Sequence, residues 1–275
     1  MSRAASQIVD RAGAGSVPRL LYIPAVIGLA VLILPIVGLI SRVDWTTLPR
    51  AITSPDAVDA LSLSLRTGLA ATVVCLIVGI PLATVIARSG PRLAGVLRVL
   101  ATLPLVLPPM VGGIALLFLL GRNGLLGSYL ALGGIQIPFT TAAVVIAQSF
   151  VALPFLVISL EGALRTAGTR YETVATTLGA GRWTVFRRIT LPLVLPGLVA
   201  GTVLCFARAL GEFGATALFA GNAAGTTRTM PLAIYTAFNG SGVTQDSAIA
   251  LSVLLIAVAL IILLLMRSWR REPAL

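Results

Sequence analysis

The chain has 275 residues, 57% of them apolar types and only 11% charged, with a mean hydropathy of +1.02. Soluble domains carry about 25% charged residues, so this composition excludes a water-facing globule and places the chain in a membrane. The net charge of +11 comes from arginine alone, with no lysine and no histidine, which excludes a Walker A phosphate loop, an imidazole base and an ordinary zinc or haem site.

The arginines lie between long apolar segments rather than on one basic face, so the charge is not a nucleic-acid footprint. Cys75 and Cys205 each sit within an apolar run, which argues against a disulfide framework or a metal cluster. Taken in chain order, segments 20–40, 67–87, 99–120, 139–160, 189–220 and 248–266 approach the ~20 residues needed to cross ~30 Å of hydrocarbon. In lipid such spans must be helices, because a lone strand leaves its backbone groups unpaired. The predicted fold class is therefore an all-α integral membrane protein with six transmembrane helices. The basic first nineteen residues resemble a signal-peptide start. The apolar stretch after them is too long for one, and no small-residue cleavage site follows, so an uncleaved first span is expected.

Orientation follows from arginine asymmetry. With a cytoplasmic N-terminus, fourteen arginines flank the spans inside, including Arg3, Arg11, Arg88, Arg98, Arg165, Arg182, Arg270 and Arg271, and only Arg42, Arg50, Arg122 and Arg228 lie outside. Both termini are then cytoplasmic. One hexapeptide, Leu-Pro-Leu-Val-Leu-Pro, occurs at 103–108 and again at 191–196. Proline suits the first turn of a helix, so both copies read as helix starts. Pro108, Pro109, Gly112 and Gly113 within the third span predict a break or kink there; it either shapes a pathway or is an ordinary bend.

The segment 161–190 is the longest cytoplasmic connection. Within it Val174 and Leu178 share a helix face, Gly179 and Gly181 supply a left-handed stop, and Trp183, Phe186 and Ile189 form an apolar stripe on a second short helix. By periodicity alone this is equally an interfacial amphipathic loop. Its spacing is more specific. Ala175, Gly179, Ile189, Leu191 and Pro192 fall in register with Glu-Ala-Ala, three residues, Gly, nine residues, Ile, one residue, Leu-Pro, with Thr173 and Val174 departing and Glu172 placing a carboxylate one position early. The segment thus resembles the EAA coupling loop of ABC-transporter permease subunits. The resemblance implies that Glu172, Thr173, Val174, Ala175, Gly179, Ala180, Ile189, Leu191 and Pro192 couple the chain to a separate ATPase, with Glu172 available to a basic residue of that partner. ATP and magnesium would belong to the partner, with no cofactor and no metal in this chain.

Within the fifth span Arg208 and Glu212 lie four apart and can pair on one helix face. Charges at membrane depth face a cavity or a partner, so the pair either stabilises packing alone or places Arg208, Gly211, Glu212 and Gly214, with Pro108 and Pro109, on a path or gate. Gly197 and Gly201 add a GxxxG packing cue. Residues 206–216, followed by Phe219–Asn222 and Thr227–Tyr235, resemble molybdate permease subunits, with sulfate/thiosulfate permeases sharing the core. That resemblance implies an ABC importer type I permease fold, a single transmembrane permease domain over 1–275, and a bacterial cytoplasmic-membrane location. It also implies a homodimer, two cytoplasmic ATPase copies and an extracytoplasmic molybdate-binding protein, and tungstate is not separable from molybdate. Residues 221–242, with Gly221, Asn222 and Arg228, are the expected contact for the binding protein; Arg228 reads equally as a solvated loop charge. A secondary anion transporter would carry more intramembrane carboxylates, and an enzyme would need a constellation that is absent from the sequence.

Overall fold

The computed structural model describes residues 18–240 and 245–269, and those residues form helices and turns without a strand. Arg3, Arg11, Gly242, Arg270 and Arg271 lie outside the described residues. The chain divides into two units, residues 1–44 and 45–275. The first holds α1 (Tyr22–Ile40), an uncharged helix preceded by one 3-10 turn, and the 22 residues from Arg19 to Ile40 are long enough to cross a membrane.

The second unit contains α2 (Leu48–Ile52), α3 (Pro55–Arg88), α4 (Pro91–Val106), α5 (Pro109–Leu120), α6 (Gly127–Leu132) and α7 (Thr141–Ala167). The short α8 (Arg170–Thr177) and α9 (Arg182–Val185) follow, then a π segment (Phe186–Thr190), α10 (Leu191–Leu210), α11 (Gly214–Phe219), α12 (Met230–Asn239) and α13 (Gln245–Trp269). Among the described residues four helices are long and apolar enough to span a membrane, or five if the bent pair α4–α5 counts as one.

Helix α7 is the central element. Of its most apolar window 56% is buried, against 33% for α3, and it packs along both α3 and α10. Thr140 starts it by accepting the Ala143 N–H on its hydroxyl, which satisfies one of the first-turn amides. Alanines 143, 147 and 152 and leucines 156, 160 and 164 are buried on it. Lipid tails compete equally for apolar side chains, so close approach in a membrane comes from small residues. A Cβ on Gly79 of α3 would sit 2.9 Å from the Leu156 side chain, one on Gly201 of α10 would sit 2.9 Å from Ser159, and one on Gly197 would overlap the Ala163 methyl. The Ser159 hydroxyl donates to the Gly197 carbonyl at 3.1 Å across this crossing. At the end of the same helix Glu161 is 5% exposed. Arg98 of α4 donates from Nε to both of its oxygens at 3.1 Å, and Arg165 donates from Nε at 2.7 Å.

Several predicted boundaries differ from those observed. The second span was expected over 67–87, whereas α3 begins at Pro55, because Ser54 caps it and Asp56 lies in its first turn; capping starts a helix before its apolar stretch does. The third span, expected over 99–120, is two helices meeting at 111°. Pro108-Pro109 is the cause: a residue before proline is driven from the helical region, and Leu107 and Pro108 both take ψ 133°. The first hexapeptide copy therefore ends α4 rather than starting a helix. The fifth span, expected over 189–220, stops at Leu210 and resumes at Gly214. The connection between α11 and α13 contains α12, whose Met230 N–H donates to the buried Ser64 hydroxyl of α3 at 2.7 Å.

Replacing Gly197 with valine should push α7 and α10 apart and cost about 1–3 kcal/mol by overpacking, read as a lower thermal midpoint of the detergent-solubilised chain. Gly162→Ala, whose added Cβ meets nothing within 4 Å, should leave that midpoint in place.

Candidate functional site

Two breaks, one between α4 and α5 and one between α10 and α11, meet in space. An added Cβ on Gly113 of α5 would lie 2.8 Å from the Ala215 carbonyl oxygen of α11, and one on Gly214 would lie 2.9 Å from Pro109 Cβ. Only glycine permits backbones to approach this closely. Around the junction a cavity of about 280 Å³ is lined by Pro109, Met110, Arg208, Gly211, Glu212, Phe213 and Gly214. Arg208, Gly211, Glu212, Gly214 and Pro109 thus share one cavity; Pro108 stands outside its lining, at the bend. Met110 and Phe213 were not anticipated. Phe213 is held against Tyr235 of α12 with ring centroids 5.1 Å apart.

The pair at this junction is asymmetric. Arg208 Nη2 lies 2.7 Å from Glu212 Oε2, with 26% of the arginine side chain exposed and only 1% of the glutamate. The two do not share a helix face as the spacing suggested, because α10 ends between them at Gly211. Glu212 Oε1 instead accepts the Ala215 N–H at 2.8 Å and caps α11. The carboxylate is held by a guanidinium on one side and a helix start on the other, and the cation is the member open to the cavity.

Segment 161–190 forms a second site. Gly179 has φ +87°, its N–H donates to the Thr176 carbonyl, and the Ala180 N–H donates to the Ala175 carbonyl at 3.0 Å. These paired bonds form a Schellman stop, and they turn the chain towards Gly181, which leads into α9. Tyr171, Val174 and Leu178 are 60%, 53% and 83% exposed, so α8 presents an apolar stripe outward, while Thr173 is exposed and Ala175 and Ala180 half-buried. Glu172 is engaged within this chain: its Oε1 accepts from Arg88 Nη2 at 2.5 Å and from the Thr190 hydroxyl at 2.8 Å. The Trp183–Phe186–Ile189 stripe is not the buried face. Trp183 is 68% exposed and stacks on Phe186, while Val185 and Thr190 are buried. The π segment explains the difference, since its wider i→i+5 turn brings residues five apart onto one side. Ile189 and Leu191 are half-buried, and Pro192 opens α10.

On the segment joining α11 to α12, Arg228 is partly exposed and hydrogen-bonded to its neighbours. Its Nε donates to Asn222 Oδ1 at 3.0 Å, and Asn222 Nδ2 donates to the Thr236 hydroxyl at 2.8 Å. Gly221 takes φ +76° where an added Cβ would lie 3.1 Å from the Phe139 ring, and Phe139 is itself at φ +63°. Among the described residues no three His, Cys, Asp or Glu side chains gather as a metal site.

The sequence that builds this arrangement matches a known transport family. Residues 77–271 match the family described as the binding-protein-dependent transport system inner membrane component, and the chain belongs to that family. It is a multi-pass protein of the cytoplasmic membrane and a transport subunit rather than an enzyme. The chain is 56% identical over 248 residues to the molybdenum transport system permease protein ModB of Mycobacterium tuberculosis, covering 90% of this chain and 92% of that one. It is 42% identical over 208 residues to ModB of Escherichia coli, covering 75% and 90%. Among solved structures, a chain of a bacterial ABC transporter involved in the import of the acidic polysaccharide alginate superposes with a TM-score of 0.67 at 20% identity, covering 93% of this chain and 96% of that one. At that identity the likeness is one of fold.

Removing Glu212 alone should leave Arg208 uncompensated and α11 uncapped. Breaking a fully buried pair costs about 3–5 kcal/mol, and Glu212→Ala should fall below that range because the arginine is partly open. The double variant Arg208→Ala, Glu212→Ala should be more stable than Glu212→Ala alone, measured as the fraction of monodisperse protein surviving heating. The reverse order would show that the pair does not act as a unit.

Proposed function

We propose that this chain is the membrane-spanning permease subunit of an ATP-driven importer for molybdate. It forms the translocation path and couples to a separate ATPase. The observation that carries the reading is the cavity where the two broken helices meet, with the Arg208 cation open to it and its partner carboxylate buried. A cation at membrane depth favours an anion in transit. The two ModB relatives, named for molybdenum transport at 56% and 42% identity, support molybdate as the oxyanion over sulfate. Tungstate shares its tetrahedral dianionic form and is included in the reading.

On this reading six spans cross the bilayer with both termini cytoplasmic, α13 supplying the sixth, in agreement with the arginine asymmetry. Two copies of the chain enclose the path and bind two ATPases, which carry ATP and magnesium; this chain holds no cofactor. Segment 161–190 is the coupling element. The exposed Tyr171, Val174 and Leu178 stripe supports this role, since an apolar face turned to the cytoplasm asks for a partner. Thr173, Val174, Ala175, Gly179 and Ala180 lie on the docking side, and Ile189, Leu191 and Pro192 carry the movement into α10. Gly221, Asn222 and Arg228, braced through Thr236, face the extracytoplasmic binding protein.

Proteoliposomes holding the chain with its ATPase and binding protein should take up labelled molybdate in an ATP-dependent manner that excess sulfate does not suppress. Suppression by sulfate would move the chain to the sulfate branch. In the same preparation Gly179→Val, at a φ that costs a branched residue about 1–2 kcal/mol, should weaken ATPase capture by roughly tenfold. Unchanged capture and transport would remove the coupling role from this turn.

A further inference from the structure

We propose that Arg88 is a positioning residue for energy coupling: by clamping Glu172 it fixes α8 to the cytoplasmic ends of three spanning helices, so that a push on α8 moves them together. The inference rests on the importer reading for the source of the push, and on the structure for the clamp.

Helix α8 has eight residues and buries none of them. An isolated helix that short is marginal in water, and this one lacks the buried face that would dock it. Among the described residues, the side-chain hydrogen bonds that leave α8 for another element both end on Glu172. Its Oε1 receives the Arg88 guanidinium, from 84 positions away in the chain, and the Thr190 hydroxyl, which the π segment turns inward. Arg88 is the last residue of α3, where the helix carbonyls favour a cation. Its Nη2 also donates to the carbonyl of Gly168, the residue that ends α7, at 3.3 Å. One guanidinium and one carboxylate oxygen therefore join the end of α3, the end of α7, the first turn of α8 and the start of α10.

The surroundings make this link positional rather than a major source of stability. A groove of about 690 Å³ lies beside it, lined in part by Thr84, Thr176, Arg182 and Phe186, so packing leaves α8 room to tilt. The two side chains remain 27% and 21% exposed, and exposed ion pairs add little to folding. What the pair supplies is direction. Both bonds leave one nitrogen, Nη2, whose two hydrogens are fixed in the guanidinium plane, so the carboxylate and the Gly168 carbonyl are held in set directions, whereas a lysine ammonium would hold the charge while rotating freely.

A nitroxide label on Leu178→Cys in the isolated permease reads the clamp directly; Cys75 and Cys205 are buried. The label should become more mobile in Arg88→Ala and in Glu172→Gln, no more so in the double variant than in either alone, with Arg88→Lys in between. Unchanged mobility in Arg88→Ala would overturn the clamp. In the complex reconstituted with ATPase and binding protein, Arg88→Ala should still capture the ATPase. The ATP hydrolysed per molybdate transported should rise roughly fivefold or more, the scale of losing one partly exposed charged hydrogen bond. A loosened label with an unchanged ratio would overturn the coupling role, as would loss of ATPase capture in Glu172→Gln but not in Arg88→Ala, which would place Glu172 against the ATPase. Should Arg88→Ala not assemble, Arg88→Lys carries the same two readouts. A wild-type complex without ATP-dependent uptake would count against the importer reading, while the label measurement would still decide the clamp.

Discussion

Three glutamates, each bound to arginine, set where the helices of the second unit join. Glu161 ties α4 to α7 through Arg98, Glu172 ties α8 to α3 through Arg88, and Glu212 ties the end of α10 to α11 through Arg208 and the Ala215 amide. Apolar packing between helices in lipid has little preference for one partner over another, since the tails are as apolar as leucine. Small residues allow contact but slide easily. A charged pair names its partner, because a displaced carboxylate would be left without its donors. In a chain with 11% charged residues these few pairs mark where helices of the second unit meet.

The repeated hexapeptide shows how much of this was legible and where legibility stopped. At 191–196 it opens α10, which runs on through Pro196 to Leu210; at 103–108 it closes α4, and the chain turns by 111°. The six residues are identical, so their own propensities cannot decide. The next residue does: Gly197 continues the helix, whereas Pro109 drives Pro108 out of the helical region. Local chemistry of this kind is readable, as are the Gly179 stop, the membrane class and the presence of an Arg208–Glu212 pair. Contacts made by folding are not. Arg88 and Glu172 lie 84 positions apart and Arg98 and Glu161 lie 63 apart, and nothing local marks them as partners. The stripe on 183–189 misled for a related reason, because it assumed an α period where the chain takes a wider π turn.

The junction at Arg208 follows from the same constraint. Non-helical backbone at membrane depth is tolerated only where protein buries it or where it lines a cavity, and the break at 211–213 does both. Its far side packs on Pro109 and Met110 through Gly214, and its near side opens into the 280 Å³ cavity. The bend at Pro108-Pro109 and the break at Gly211 are therefore one feature: each broken helix covers the backbone that the other exposes. Gly113 and Gly214 are the price of that arrangement, being the points where a side chain would separate the two.

On the importer reading, the charge balance there also bears on how an anion would pass the junction. Arg208 enters the cavity already paired, and its partner is fixed by α11 and cannot swing aside without uncapping that helix. On that reading a dianion in the cavity would meet a cation whose field is largely answered by Glu212, which favours weak attraction over retention. Conduction requires that balance, since a site that binds tightly stops transport. On the importer reading, strong and selective capture then belongs to the extracytoplasmic binding protein, and the permease contributes passage. On the same reading the clamp at Glu172 complements this: a path with a shallow site would need its two ends opened and closed by force from outside the membrane, and α8, held by one charged pair and little packing, would be the element to receive it.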